Sequence, residues 1–527
     1  MFRRRRKDRD AAQAGESVAG APVGGATAAE APRAPDGPPA AGPRLAPDGL
    51  PTCAAPHTTL RFTPDGRVLV CCANVQYALG VVGQDRLRDI WDGVDRQRIA
   101  DALDVLDYSL GCDECGAERA IGNRAGSIEA MWDHLWHDPP PPHTYPRRME
   151  FAVSNTCNLQ CVQCNGDRSS AIRSQREHRP PMVSRYDDAF FEELEEFLPH
   201  LEAASFAGGE PFLARETRRI FDLMIERGWR PAIDVVTNTS IFDERVEHYL
   251  RALEMDVTLS IDGVTKETFE AIRVGTDHAQ SWANVDRFRD VVAEYGGQVS
   301  INFCLMPQNW HEFGDLLLWA DSLDVRVDVI PVTFPTRFDI LRLPVEELRS
   351  VVEALESQDD ELRPRLGRNR SVWVSRVGLL RRQLDLVESG GMPVTIGPRP
   401  VAPEVLEAVK AELVAWSGQD LLVLTVDDGV IESVESPEWA EPLEPERWVG
   451  WANEVILSDL VDRLGRLRDF EIDDRDDGLQ RMSYWFDLDG VKAPFRSVNV
   501  SGYLIGTTTV DLRRLLPVPG ATPQPTA

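Results

Sequence analysis

The stretch 147–345 reads as an α/β core built on a parallel sheet. Three observations predict it. Short apolar runs recur six times: MEFAV (149–153), AASFA (203–207), IDVVT (233–237), DVTLSI (256–261), QVSINFCL (298–305) and VRVDVIPV (325–332). Each has the length of a buried strand. Amphipathic helical patterns such as FFEELEEFL, RETRRIFDLMIERG and HEFGDLLLWADSL stand between them. Turn residues close the runs at their C-terminal ends, where α/β enzymes carry their sites. Strand, helix, strand in repetition requires crossover helices, hence a parallel sheet.

The flanking segments follow in chain order. Residues 1–49 begin with the basic string MFRRRRKDRD and continue in Ala, Pro and Gly, too poor in apolar side chains to build a core. No apolar stretch follows Arg3 to Arg6, so the segment predicts a disordered tail, not an export signal, and the chain is expected in the cytoplasm. Residues 50–137 hold five cysteines, and a Pro-rich hinge covers 138–146. Residues 346–403 predict a helical connector carrying Arg363, Arg365, Arg368, Arg370, Arg376, Arg381 and Arg382. Residues 404–516 change to an antiparallel α+β pattern. LLVLTV and VIESVES flank the turn Asp427-Asp428-Gly429, a helical middle covers 446–466, and LQRMSYWFDL, VKAPFRSVNV and YLIGTTTVDL follow, joined at Asp489-Gly490 and Ser501-Gly502. Residues 517–527 are a second tail.

Composition excludes some functions. Lys plus Arg number 57 and Asp plus Glu 86, a net charge of -29. Such a surface repels phosphate backbones and anionic lipid, so neither nucleic acid nor membrane is expected as a partner. No apolar stretch reaches the roughly 18 residues of a membrane span.

The nine cysteines carry the chemistry. Cys157, Cys161 and Cys164 lie in SNTCNLQCVQCNG, directly after the first strand run. Three thiolates on one loop can wrap one soft metal centre. A four-iron, four-sulfur cube held by three thiolates keeps one iron open, whereas a structural zinc site is normally closed by a fourth ligand.

This loop and the motifs after it resemble the radical S-adenosylmethionine (SAM) enzymes. Gly208-Gly209-Glu210-Pro211 ends the second run, Thr237-Asn238-Thr239 the third, and Ser260-Ile261-Asp262-Gly263 the fourth. The resemblance implies a partial (β/α)6 TIM-like barrel of radical SAM type. It implies that Cys157, Cys161 and Cys164 hold a [4Fe-4S] cluster. It further implies that Gly208, Gly209, Glu210, Pro211, Asn238, Ser260, Asp262 and Arg273 meet SAM, with the Glu210 carboxylate facing the methionine ammonium. The expected chemistry is one-electron cleavage of SAM to methionine and a hydrogen-abstracting 5′-deoxyadenosyl radical.

The upstream cysteines lie in CAAPHTTLRFTPDGRVLVCC (53–72) and GCDECG (111–116). A hairpin turning at Asp65-Gly66 and a C-x2-C loop bring four thiols within reach of one closed site, for which zinc and an iron–sulfur cluster both qualify. The string resembles the SPASM/twitch module, which implies an auxiliary [4Fe-4S] cluster on Cys53, Cys71, Cys112 and Cys115, with Cys72 as the alternative to Cys71. In most relatives the module follows the barrel; here it precedes it. Cys304, in the fifth run, is a core thiol or, by similarity to radical epimerases, a hydrogen donor.

The remaining features are less specific. The Arg-rich segment is a salt-bridged helix face, or a dock for an acidic flavodoxin- or ferredoxin-type electron donor. His57 and the tryptophans Trp416, Trp439, Trp448 and Trp451 read as packing residues. The C-terminal pattern resembles a PAS-like fold. The expected function is a radical SAM enzyme acting on a small metabolite such as a sugar. A maturase of a ribosomally made peptide is the alternative. A non-catalytic iron–sulfur sensor is the alternative from another class.

Overall fold

The computed structural model describes residues 44–389 except 76, 113–114, 117–118, 120–123, 125–126, 137–144 and 333–334. Beyond 389 it describes the backbone of six strands between 422 and 510. The expected tail up to residue 43, most of the hinge 138–146, the connector from 390, the helical middle 446–465, Trp416, Trp439, Trp448, Trp451 and the tail 517–527 lie outside the described residues.

Nine strands form one sheet. They are β1 (Thr59–Phe62), β2 (Arg67–Leu69), β3 (Gly80–Val81), β4 (Arg148–Phe151), β5 (Ala203–Phe206), β6 (Ala232–Thr237), β7 (Asp256–Ser260), β8 (Val299–Leu305) and β9 (Arg326–Pro331), in the order β3-β2-β1-β4-β5-β6-β7-β8-β9. From β4 to β9 every neighbouring pair is parallel, as the six apolar runs require. Asp187, Asp243, Thr265 and Asp277 cap the N-termini of the helices that follow them, each accepting from a first-turn N–H. Gly228 and Gly296 close two helices in the left-handed region.

The sheet is larger than the six runs foretold. β1, from the Cys-rich segment, pairs in parallel with β4, matching Thr59 to Arg148 and Phe62 to Phe151, while β2 and β3 continue antiparallel beyond it. The Cys-rich segment and the barrel therefore share backbone hydrogen bonds. An aromatic ladder crosses the seam on the outer face. Phe62 stacks on Phe151 at 5.4 Å and Phe151 on Phe206 at 5.0 Å, and Phe221 of the helix Arg215–Arg227 closes on Phe206 at 4.6 Å. All four rings are buried. Rings in register on adjacent strands add offset stacking to their area burial.

The other face lines the barrel interior and is polar. Arg61, Glu150, Ser205 and Asp234 follow one another in register across β1, β4, β5 and β6. Arg61 meets Glu150 at 3.1 Å, Arg148 meets Asp234 at 3.1 Å, and the Ser205 hydroxyl donates to Asp234. Nearer the C-terminal strand ends, Thr258 and Ser300 share a 2.9 Å hydrogen bond, and Ser260, Asn302 and Asp328 stand in one row.

Helices Val345–Ser357 and Arg370–Glu388 pack beside β9. The arginines of the second helix and of the segment between the two are largely neutralised where they stand: Arg363 pairs with Asp359, Arg365 with Glu361, Arg368 with Asp324 and Arg381 with Glu356. Arg376 donates to the Val329 carbonyl and Arg370 to that of Leu366. Strands β10 (Leu422–Asp427), β11 (Val430–Glu435), β12 (Arg466–Asp474), β13 (Gln480–Leu488), β14 (Val491–Asn499) and β15 (Ile505–Val510) form an antiparallel sheet ordered β11-β10-β15-β14-β13-β12. β12 begins where the sequence pattern had placed the end of a helix, and its charged string RLRDFEIDD hides the alternation.

The seam has a measurable weight. Phe62→Ala removes the first rung of a buried aromatic ladder, and we expect a loss of about 3–5 kcal/mol, read as a fall in the chemical-denaturation midpoint. An unchanged midpoint would show that β1 is only loosely held to β4.

Candidate active site

The loop bearing Cys157, Cys161 and Cys164 leaves the C-terminal end of β4 and is tied down along its length. Gln160 and Val162 donate their N–H groups to the carbonyls of Val274 and Ile272 at 2.8 and 2.9 Å. The Arg176 guanidinium donates to the carbonyls of Cys161 and Cys164. Ser170 brackets Cys157, accepting from its N–H and donating to its carbonyl, both at 3.1 Å. All three thiols are half-buried. Burial, opposed by Arg273 and Arg168 respectively and reinforced by the neighbouring cysteines, pushes Cys161 up to about 12 and Cys164 to about 11. Such thiols ionise when a cation stands among them, as metal ligation requires.

The turn after β5 is pressed against this loop. Gly208 has φ +110°, and a Cβ on Gly209 would stand 2.4 Å from the Thr156 carbonyl oxygen. The glycine pair thus admits the backbone that leads into Cys157. Glu210 is fully buried. Its carboxylate accepts from the Asn238 N–H at 2.7 Å, the Thr237 hydroxyl at 3.0 Å and the Phe212 N–H at 3.2 Å. Burial holds its pKa up at about 7 against those donors. In this geometry Glu210 joins the ends of β5 and β6, and with roughly four acceptor positions on a carboxylate one remains for an ammonium. Pro211 is buried beside it.

Asn238 points its amide at the cluster loop, 3.7 Å from the Cys157 sulfur and 3.1 Å from Asn158 Oδ1. The next residue, Thr239, is buried with φ +63°, an outlier for a β-branched residue. Asn284 holds it by donating to its carbonyl at 2.7 Å. Sequence reasoning missed Asn284, which lies on a helix far along the chain.

Ser260 is half-buried on the interior face of β7. Asp262 and Arg273, read from sequence as SAM contacts, meet each other at 2.8 Å and are buried. Asp262 also accepts from Gln163, within the cluster loop, at 2.8 Å and from the Cys304 N–H at 2.7 Å. The pair therefore lies behind the cluster loop and connects it to β8. Cys304 is half-buried on the interior face, where burial, the Asp262 charge and Cys161 push its thiol up while Arg273 opposes them.

Four upstream thiols converge elsewhere. Cys53, Cys71, Cys112 and Cys115 line one cavity, with Asn74, Tyr108, Glu129 and Trp132 in its wall. Cys72 does not line it. Burial, with Glu150 and Cys71 beside it, pushes its thiol up to about 12, while Arg61 opposes them. Asn74, fully buried, donates its N–H to the Cys71 sulfur at 3.5 Å and its amide to the Cys112 sulfur at 3.4 Å. Donors aimed at sulfur suit ligating thiolates, and four thiols with such support fit a closed cluster. Glu129 in the wall is balanced by Arg119 at 2.8 Å and Arg124 at 3.1 Å. Among the described residues no three His, Cys, Asp or Glu side chains are drawn together on a single ion; these four thiols border a space.

The two thiol sets stand at opposite ends of the same strands. Cys53 precedes β1 and Cys71 follows its antiparallel partner β2, so both lie at the β1 N-terminus. Cys157 follows the C-terminus of β4, which runs parallel to β1. Four residues of strand, about 13 Å at roughly 3.3 Å per residue, separate the two levels.

Comparison with known proteins matches residues 151–320 to the radical SAM superfamily and residues 53–116 to an iron–sulfur cluster-binding domain of SPASM type. Among curated relatives, the GTP 3′,8-cyclase of Clostridium botulinum is 22% identical over 139 residues, 26% of this chain and 42% of that protein. The GTP 3′,8-cyclase of Desulforamulus reducens is 22% identical over 191 residues, 34% of this chain and 54% of that protein. The chain thus spans about half the length of the curated relatives it matches. Among solved structures, anSMEcpe with bound AdoMet matches 41% of this chain and 60% of its own at 19% identity and TM-score 0.32. Streptococcus suis SuiB bound to precursor peptide SuiA matches 52% and 62% at 14% identity and TM-score 0.31.

Gly209 gives a direct test of the loop packing. Gly209→Ala drives a Cβ into the Thr156 carbonyl, and we expect iron retained at the Cys157–Cys164 loop to fall several-fold. Gly228→Ala, strained by its φ of +73° but with open space around it, should cost about 1–2 kcal/mol of stability and keep its iron. Full iron in the Gly209 variant would count against the packing role.

Proposed function

We propose that this chain, which matches the radical SAM superfamily over residues 151–320 and a SPASM-type iron–sulfur cluster-binding domain over residues 53–116, is an enzyme of that kind and abstracts hydrogen from a small, hydroxyl-rich substrate held inside the barrel. When bound, the cluster and SAM supply one-electron cleavage to methionine and a 5′-deoxyadenosyl radical. Cys157, Cys161 and Cys164 are the proposed ligands of that cluster, and Cys53, Cys71, Cys112 and Cys115 those of an auxiliary [4Fe-4S] cluster. Gly208, Gly209, Glu210, Pro211, Asn238, Ser260, Asp262 and Arg273 are proposed to hold SAM, the last two as a pair that is also tied to the loop through Gln163.

The observation that carries the substrate class is the barrel interior. Thr258, Ser260, Ser300, Asn302 and Asp328 occupy consecutive inward positions below the cluster loop. Such a surface orients a ligand through hydrogen bonds, and a site built that way discriminates strongly against analogues lacking the groups. The GTP 3′,8-cyclases, by their name, act on a nucleotide, which agrees with a small polar ligand. Cys304, on the same face, is proposed to give a hydrogen atom to the substrate radical, leaving a thiyl radical that one electron from the reductant and one proton return to the thiol. A flavodoxin- or ferredoxin-type donor is the proposed reductant, with Arg382 exposed on the Arg-rich helix. A cytoplasmic location is proposed, in keeping with no helix among the described residues being long and apolar enough to cross a membrane. For the C-terminal sheet a PAS-like ligand-binding role is proposed, supported by its first strand lying between the second and the last.

The test uses reconstituted protein with dithionite and SAM, reading 5′-deoxyadenosine by mass spectrometry. Cys161→Ala should abolish cleavage, at least 100-fold below the parent. Cys112→Ala should keep part of it while losing product. Deuterated nucleosides and sugars should pass label into 5′-deoxyadenosine. Label arriving only from peptides would transfer the assignment to a peptide maturase, and no 5′-deoxyadenosine under any condition would favour a sensor.

A further inference from the structure

Trp132 is the unexplained residue of the auxiliary cavity. It lies in the 3-10 helix Ile128–Leu135, where Glu129, Trp132 and Leu135 are buried at intervals of three. Three residues per turn put those side chains on one face. Glu129 and Trp132 both line the cavity that Cys53, Cys71, Cys112 and Cys115 share. The Trp132 indole is only 2% exposed, and its N–H finds no acceptor among the described residues. Buried indole N–H groups normally have one. Two neighbours in kind obey the rule: Trp136 donates to the Thr52 carbonyl at 3.0 Å and Trp373 to Asp359 at 2.9 Å. The carboxylate beside Trp132 on the same helix face is engaged elsewhere, by Arg119, Arg124 and Tyr108. A buried donor with no acceptor among the described residues, on a side chain in the wall of a four-thiol cavity, is available to what the cavity holds.

We propose that the Trp132 indole N–H is a hydrogen-bond donor to a sulfur of the cluster held by Cys53, Cys71, Cys112 and Cys115, and that it raises that cluster's reduction potential. The inference rests on the auxiliary-cluster reading above. Its direction follows from charge. Reduction adds an electron whose density reaches the sulfurs, so a donor to sulfur stabilises the reduced form more than the oxidised one. Asn74 already supplies this kind of bond to Cys71 and Cys112. Trp132 would add one from another element of the wall, the 3-10 helix, which follows the C-x2-C loop in the chain. Its ring also meets the barrel interior: the Arg148 guanidinium lies 5.7 Å from the ring centroid. A single side chain therefore touches both the auxiliary cavity and the charged row beneath the substrate space.

The experiment isolates the auxiliary cluster by replacing Cys157, Cys161 and Cys164 with Ala in the full chain, then compares that parent with its Trp132→Phe form by iron and sulfide analysis and EPR-monitored redox titration. We expect about four irons per chain in both. The Phe form should need a roughly tenfold higher ratio of reduced to oxidised mediator at half-reduction, a shift of about 59 mV to lower potential for one electron. Should the Phe form lose the cluster, 3-benzothienylalanine at position 132, isosteric with Trp but lacking the N–H, takes its place. An unchanged midpoint in a form that keeps its iron overturns the proposal. A parent without iron or sulfide overturns the auxiliary-cluster reading itself, and the proposal with it.

Discussion

Four residue pairs between β1 and β4 hold the two thiol sites in one frame. A parallel ladder fixes the axial register of its strands, because a slip by one residue would turn every side chain to the opposite face. Here a slip would carry Phe62 into the polar interior and Arg61 into the aromatic ladder. The register therefore sets both the height of the auxiliary cavity relative to the cluster loop and the identity of the residues between them. Arg61 and Glu150 face each other only in this alignment.

From that seam the chemistry is divided by strand ends. The C-terminal ends of β4 to β7 carry the cluster loop, the Gly208–Gly209 turn, Asn238 and Asp262, with Arg273 paired to Asp262 from the end of the helix Lys266–Ile272. The opposite end of β1 carries the four-thiol cavity. Between them the interior is charged low down and hydroxyl-rich near the loop. Buried charges are sustained there by pairing, since an isolated one would cost several kcal/mol. Arg61, Arg148, Glu150 and Asp234 satisfy this among themselves. The hydroxyl and amide groups above them carry no such burden and can exchange partners with a ligand.

Much of this was legible in the sequence, and the parts that were not share a cause. The six barrel strands were readable because each is a continuous apolar run followed by a helix with its own capping residue. The three-thiol loop and the motifs at strand ends were readable because each is contiguous. β1 was expected only as half of a hairpin, since four residues carry no sign of a partner so far along the chain. Glu210, Asp262 and Arg273 gained protein partners for a similar reason: sequence shows the charged residue, but which side chains it also meets depends on folded geometry. Asn74 left a faint signal, an amide two residues after a cysteine pair. Trp132 left none, because a buried indole is ordinarily packing.

The chain order of the two domains gains a physical explanation from the same seam. Arg61 and Glu150 are 89 residues apart, against 42 for Thr258 and Ser300 and 29 for Ser205 and Asp234. Closing the longer loop costs little more, since each doubling of length adds only about 0.6 kcal/mol. One buried phenylalanine of the ladder outweighs that several-fold. A cysteine-rich hairpin can thus dock on the first barrel strand whether the connecting chain enters before the barrel or after it. Its place in the gene is nearly neutral thermodynamically, and permutation of the two domains is a change of wiring that leaves the architecture intact.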